Sequence, residues 1–435
     1  MVNYSVVEYY LDDNAVIKII LDNTVINHLD GPAIAVYSGE DIVIELVGQN
    51  TIMDGSNYAD TFDEDVTGAI YSKSDLTFQG DGKLTLTGNH ADGIVSKDDL
   101  TFRGGTYDIA AQDDGIRGKD SVHFTNGSFA INSTADAIKS TNEFDLNKGF
   151  VFVENGNFNL KTGAKGIKAT RSVLIHDGNF SITTTDDSIH SDNFIGVVGG
   201  EISINAGDDG IHANRELSIS GGTITIAKSY EGVEAQKITI NDGSISINAS
   251  DDGINAGGGA DNSSTNRPNQ SPFNADENCT LSINGGNIYV DASGDGLDSN
   301  GWLYINGGKT IVDGPSSDGN GALDAGMGII MNGGEVIAIG TSDMVENLGQ
   351  TSTINNLSIF LKNTYPKNTE ISIVDKNGNT VISHVSAKSF SHIAVGTSAF
   401  NLGDTYSLYL DDELYANITI SGIVTTFGGQ AKVGR

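Results

Sequence analysis

The sequence predicts an all-β chain: a parallel β-helix of about 22 residues per turn over residues 1–350, followed by a small C-terminal antiparallel β region over 351–435. Three observations predict it. An Asp-Asp-Gly-Ile tetrad, seen at 113–116, returns with that period; short alternating strands separate the tetrads; and the tetrads stop before residue 351.

The aliphatic that ends the tetrad falls at Ile94, Ile116, Ile138, Ile167, Ile189, Ile211, Val233, Ile254, Leu297 and Leu323. Two residues earlier stand Asp92, Asp114, Asp136, Lys165, Asp187, Asp209, Glu231, Asp252 and Asp295, an acid column interrupted once. Between tetrads run segments such as Leu217-Ser-Ile-Ser-Gly-Gly-Thr-Ile-Thr-Ile226 and Leu281-Ser-Ile-Asn-Gly-Gly-Asn-Ile-Tyr-Val290. Strict apolar–polar alternation marks strands with one buried face, and the glycines supply tight turns. With the tetrad as a third short strand, each turn hydrogen-bonds to the next at a spacing of about 4.8 Å. About ten clear turns are expected between residues 66 and 340. Tyr107, Phe129, Phe158, Phe180, Ile202, Ile224, Ile245 and Ile288 share one position after the Gly turn, and this period-matched column is read as core and not as a sugar-stacking surface.

Two inserts break the period. Residues 144–158 lengthen one turn by seven, and 257–278 form a loop rich in Gly, Ser and Asn that carries Pro268 and Pro272. After about 351 the pattern becomes hairpin strands, Leu357–Leu361, Glu370–Val374 with the turn Lys376-Asn-Gly378, and Tyr406–Leu410, which are expected to cover the exposed edge of the last turn.

Composition narrows function. Against 57 Asp and Glu the chain has 24 Lys and Arg, a formal net charge of −33 that repels nucleic acid and attracts multivalent cations. Gly at 55 residues with only 5 Pro fits strands joined by tight turns. The one cysteine, Cys279, permits no intrachain disulfide and gives no reading of compartment. No apolar run reaches the length of a membrane span, and Met1-Val2-Asn3-Tyr4-Ser5 does not begin a leader, so the chain is expected either to stay in the cytosol or to have lost a secretion signal.

The acid column carries the chemistry. Carboxylates about 4.8 Å apart at an effective dielectric near 20 repel by about 3–4 kcal/mol, and a Ca²⁺ held by several oxygens converts that repulsion into binding. Magnesium, with its tight octahedron and retained water, fits less well. Turns with a second oxygen ligand are the best sites: Asp186 with Asp187, Asp208 with Asp209, Asp251 with Asp252 and Asn255, Glu231 with Glu234, and Asp295 with Asp298. The plainer alternative is that Asp-Gly only serves turn geometry. It applies best to Asp92, Asp114 and Asp136, because Arg117 and Lys139 follow their tetrads, while Lys165 can neutralise its own turn.

The motifs Ser229-Tyr-Glu-Gly-Val-Glu234, Ala249-Ser-Asp-Asp-Gly-Ile-Asn-Ala-Gly-Gly258 and Gly294-Asp-Gly-Leu-Asp-Ser-Asn-Gly301 resemble the bacterial carbohydrate-binding β-helix family over residues 20 to 420. The resemblance implies a right-handed helix, an extracellular or cell-surface location, Ca²⁺ on stacked Asp residues, and binding to cellulose and to acidic sugars such as polygalacturonate. It also implies calcium sites similar to those of pectate lyases of polysaccharide lyase family nine, carried here onto Asp208, Asp209, Glu231, Glu234, Asp251, Asp252, Asn255, Asp295 and Asp298. The sequence departs from that pattern at His190, His212 and Asn255, where the family has acid.

Two functions follow. A non-catalytic binder would use Ca²⁺ to bridge protein carboxylates to the uronates of pectin, which reconciles a strongly acidic chain with an acidic polymer. A pectate lyase would add a Lys or Arg base. Arg215, Lys228 and Lys237 are the basic residues nearest the acid turns, and none sits in a distinguishing motif; the reading leans away from an enzyme. Arg215 and Lys237, with Tyr230 and Trp302 as sugar platforms, make up the candidate glycan surface, Trp302 being equally readable as core. Gly207-Asp208-Asp209 is similar to the acid pair of polygalacturonases, but no Gly-His-Gly accompanies it. A purely structural cell-surface stalk stiffened by Ca²⁺ is the third class.

Overall fold

The computed structural model describes residues 8–9, 16–257 and 275–429. Most of the 257–278 insert therefore lies outside the described residues. Among them every regular element is a strand, and the chain carries about 13 parallel coils with a small separate antiparallel sheet. It divides into two compact units, Met1–Ala213 and Asn214–Arg435.

In the first unit the coils pair in parallel and in the expected register. Ile94 faces Ile116, Ile116 faces Ile138, Ile138 faces Ile167, and Ile167 faces Ile189. The tetrad glycine lets neighbouring coils come this close: a Cβ on Gly93 would lie 2.5 Å from the carbonyl oxygen of Gly115. At the other corner Gly200 has φ 96°, a conformation that L side chains rarely adopt.

The predicted inward columns are core. Phe78, Phe102 and Phe124 stack at 5.2 and 5.0 Å between ring centroids, and Tyr107, Phe129, Phe158 and Phe180 at 4.7, 5.1 and 4.7 Å. All seven rings are buried. The two ladders meet edge to face, Phe102 on Phe129 and Phe124 on Phe158, an arrangement that adds to the stabilisation from burial alone.

In the second unit the same register joins Ile254 to Leu297 and Leu297 to Leu323. The coil strand Glu335–Gly340 is then paired antiparallel by Phe390–Thr397, which also pairs with Asn356–Tyr365. The edge of that coil is thus paired by Phe390–Thr397, a strand not among those expected from the sequence, while Glu370–Val374 and Thr405–Leu410 lie in a separate sheet. Glu370–Val374, Thr380–Val385, Thr405–Leu410 and Glu413–Thr419 form a four-stranded antiparallel sheet. His384 Nε2 of that sheet lies 2.8 Å from one oxygen of the fully buried Asp313, whose other oxygen accepts the Tyr289 hydroxyl at 2.8 Å.

Candidate metal centre

Each coil sets two titratable columns side by side: the tetrad acid, and the residue directly after the tetrad aliphatic. The second column decides the charge. In the first unit it reads Arg117, Lys139, Lys168, His190 and His212, each in register with the next. Arg117 lies 2.6 Å from Asp92, and Lys139 lies 2.9 Å from Asp136 and 3.3 Å from Asp114. These acids are neutralised by the protein itself, although burial still pushes Asp114 up to about 6.

Lys165, which replaces the tetrad acid, reaches the next coil and sits 2.8 Å from Asp186 and 2.6 Å from Asp187. His190 Nδ1 is 2.8 Å from the same Asp187 oxygen, and its Nε2 is 3.1 Å from Asp192. Burial pushes Asp187 upward, but the His190 hydrogen bond and the Lys165 charge overcome it and hold the carboxyl well below the usual range. Lys165 is raised in turn, because the attraction of Asp187 and Asp186 outweighs its burial. His212 Nδ1 lies 2.9 Å from Asp209. The structure therefore brings Asp186, Asp187 and Asp208 together, and sets Asp187 with His190 and His212, in clusters that could hold a metal ion; the first of these also contains an ammonium.

In the second unit the second column turns acidic: Glu234, Asn255, Asp298 and Asp324 lie in register in that order. Asn255 is buried, and its amide nitrogen donates to Glu231 at 3.0 Å, which fixes the amide orientation and leaves Oδ1 with no hydrogen-bond partner among the described residues. Asp252 accepts the backbone N–H of Asp295 at 2.6 Å, and Asp295 accepts that of Gly321, so the tetrad acids are tied to their neighbouring coils.

The field at these acids comes from one another. Burial, reinforced by Asp252, Asp324 and Asp251, pushes Asp295 up to about 8. Burial and the charges of Asp252, Asp295 and Asp324 push Asp298 well above the usual range. Glu346 accepts the backbone N–H of Ala325 at 3.0 Å beside Asp324 and, chiefly through burial, stands at about 7. Asp252, Asp295, Asp298 and Asp324 are all half-buried.

An amide oxygen left unpaired among the described residues, in register with Asp298, together with the mutually coupled Asp252, Asp295, Asp298 and Asp324, supplies the oxygen types that a hard cation takes. Asp324 and Glu346 were not singled out from the sequence. Asp324 was legible there, since it follows Leu323 as Asp298 follows Leu297; Glu346 belongs to no repeat.

The remaining candidates are dispersed. Tyr230 is exposed and hydrogen-bonded to Asp251, whose charge, with burial, raises its hydroxyl pKa. Arg215 is exposed. Trp302 alternates with buried Leu303 and Ile305 and points outward, half-buried, stacked on Tyr304 at 6.0 Å. It is not core. Lys237, Thr280 and Trp302 form one outward column, so two of the predicted glycan contacts share a face.

Coils repeated in parallel register define the class of parallel β-helices. The chain belongs to the family of carbohydrate-binding domain-containing proteins, whose model matches residues 5–253, more than half of its length. It is also similar to the solved structure of a polysaccharide lyase-like protein from C. thermocellum, a gadolinium derivative, at 24% identity with a TM-score of 0.40, covering 49% of this chain and 78% of that one. No curated protein sequence matches.

Proposed function

We propose that the chain is a non-catalytic, calcium-dependent binder of acidic polysaccharides of the polygalacturonate and pectin class. The observation that carries this reading is the change of sign in the column after the tetrad aliphatic. Where that column is Arg117 and Lys139 the acids have resident counter-charges, where it is His190 the acid has a hydrogen-bond partner, and where it is Asn255, Asp298 and Asp324 the strongest charges on Asp295 and Asp298 are other acids. Asp252, Asn255, Asp295, Asp298 and Asp324 would hold the ion. When bound, Ca²⁺ supplies positive field and open coordination positions for a uronate carboxylate. Trp302 and Tyr304 offer an apolar face for a sugar ring, and Lys237, two coils away in the same column, offers a positive charge for a uronate. Action outside the cell is part of the same proposal.

Titration of the metal-free chain with polygalacturonate, with and without Ca²⁺, tests the reading. Binding should require calcium and should be lost in Asp298→Ala; binding that survives chelation unchanged would defeat it. Unsaturated, ultraviolet-absorbing ends released from polygalacturonate would move the assignment to a lyase.

A further inference from the structure

The two histidines of the second column take part neither in the calcium reading nor in the candidate glycan surface. His190 and His212 stand one coil apart in register, both buried, with ring centroids 5.0 Å apart. Each ring is held by the tetrad acid three residues before it: His190 Nδ1 lies 2.8 Å from Asp187, and His212 Nδ1 lies 2.9 Å from Asp209. With its other oxygen Asp187 accepts the Asp209 backbone N–H at 3.1 Å, so the two acid–imidazole pairs share one frame. Both rings are gripped at Nδ1 from the same relative position, which turns their Nε2 edges the same way. On that edge His190 Nε2 lies 3.1 Å from Asp192, an exposed carboxylate.

We infer that His190, His212 and Asp192 form a site for a divalent transition ion of the zinc class, separate from the calcium site. The donor set decides the class of ion. Calcium takes oxygen ligands, whereas imidazole suits zinc and its neighbours in the transition series. An imidazole that ligates through one nitrogen is characteristically fixed by a carboxylate at the other, which sets its tautomer and raises its basicity. Asp187 and Asp209 stand where that carboxylate belongs. Two ligands each about 2.1 Å from a tetrahedral ion are about 3.4 Å apart, so the gap between His190 and Asp192 already has nearly the required span. One nitrogen of each ring and an Asp187 oxygen lie within 4.8 Å of one another, which leaves at most about 1.4 Å for the rings to close. Lys165 lies 2.6 Å from Asp187, so that carboxylate has its counter-charge and orients His190 instead of binding the ion. Asp192 and Asp209 balance the ion, and Lys168, in register with His190 on the side away from His212, bounds the site. Three protein ligands leave a fourth position for water beside the exposed Asp192.

This site goes beyond the calcium-dependent reading, shares no residue with it and does not depend on it. The metal-free whole chain is titrated with Zn²⁺ by calorimetry in saturating Ca²⁺, which keeps hard-cation sites filled. The tightest Zn²⁺ equivalent should bind in excess calcium, and His212→Gln and Asp192→Asn should each weaken it tenfold or more. Co²⁺ in place of Zn²⁺ should give the visible absorption of a tetrahedral ion with nitrogen and oxygen ligands, lost in both variants. Asp192 is exposed, so Asp192→Asn tests the site without disturbing the interior, and its melting temperature without zinc should match wild type. Zinc should raise the melting temperature of the wild type and leave that of Asp192→Asn unchanged. Asp298→Ala should keep zinc binding while losing calcium-dependent polygalacturonate binding, so the two readings fail separately. No zinc binding in excess calcium, or zinc binding equally tight in the wild type and Asp192→Asn, would overturn the inference.

Discussion

The Lys165 ammonium lies 2.6 Å from an oxygen of Asp187, one coil further along, and neither side chain is open to solvent. A lysine has taken the place of a tetrad acid and serves as the counterion of its neighbour. Lys165→Met should therefore cost about 3 kcal/mol or more, because it leaves a buried carboxylate short of its partner. Urea denaturation gives the value, and a loss under 1 kcal/mol would mean that His190 alone suffices.

The same pair sets an acid limit. Asp187 is depressed in the folded state, so its contribution is complete above the unfolded carboxylate value near 3.8 and disappears as pH falls below it. The stability difference between wild type and Asp187→Asn should be constant from pH 5 to 8 and shrink below about pH 4, as read from melting curves.

Asp295 behaves oppositely. Raised to about 8, it keeps a proton in the folded metal-free chain that the unfolded chain releases above about 3.8, so the metal-free protein should lose stability as pH rises between those values. Asp295→Asn should remove that slope in EDTA. Saturating calcium should flatten it in the wild type, and a metal-free slope identical in the two proteins would contradict the assignment.

Calcium should displace protons. Ligand carboxylates must be ionised to bind, whereas burial and neighbouring acids raise Asp295 to about 8 and Asp298 well above its ordinary range, both of which favour a proton in the metal-free chain. Calorimetry in buffers of different ionisation enthalpy should show net proton release near pH 6.5, reduced in Asp298→Asn.

Phe102 stacks on Phe78 and Phe124 and meets Tyr107 and Phe129 edge to face. Phe102→Ala should cost about 3–5 kcal/mol by emptying the junction of two ladders. Chemical denaturation measures it, with glycan binding in the second unit's outward face as a control for folding.

The coil architecture was legible because one period fixes both strand register and interior. Ile94 to Leu323 locate one interior column from sequence alone, and Tyr107 to Phe180 a second. The site was legible only in part. Acids could be counted, but the identity of their partners depends on a neighbouring coil: the reach of Lys165 to Asp187, or the orphaned Oδ1 of Asn255, is a property of two turns at once. Trp302 could be read either way until its alternation with Leu303 and Ile305 was fixed by register.

Because neighbouring coils of the first unit stack in register, each coil offers the next the same edge it received. Duplicating or deleting one unit of about 22 residues there would leave each interior contact, such as Phe158 on Phe180, a copy of one already present, so the length of the coil stack can change by whole repeats without redesign of any single contact.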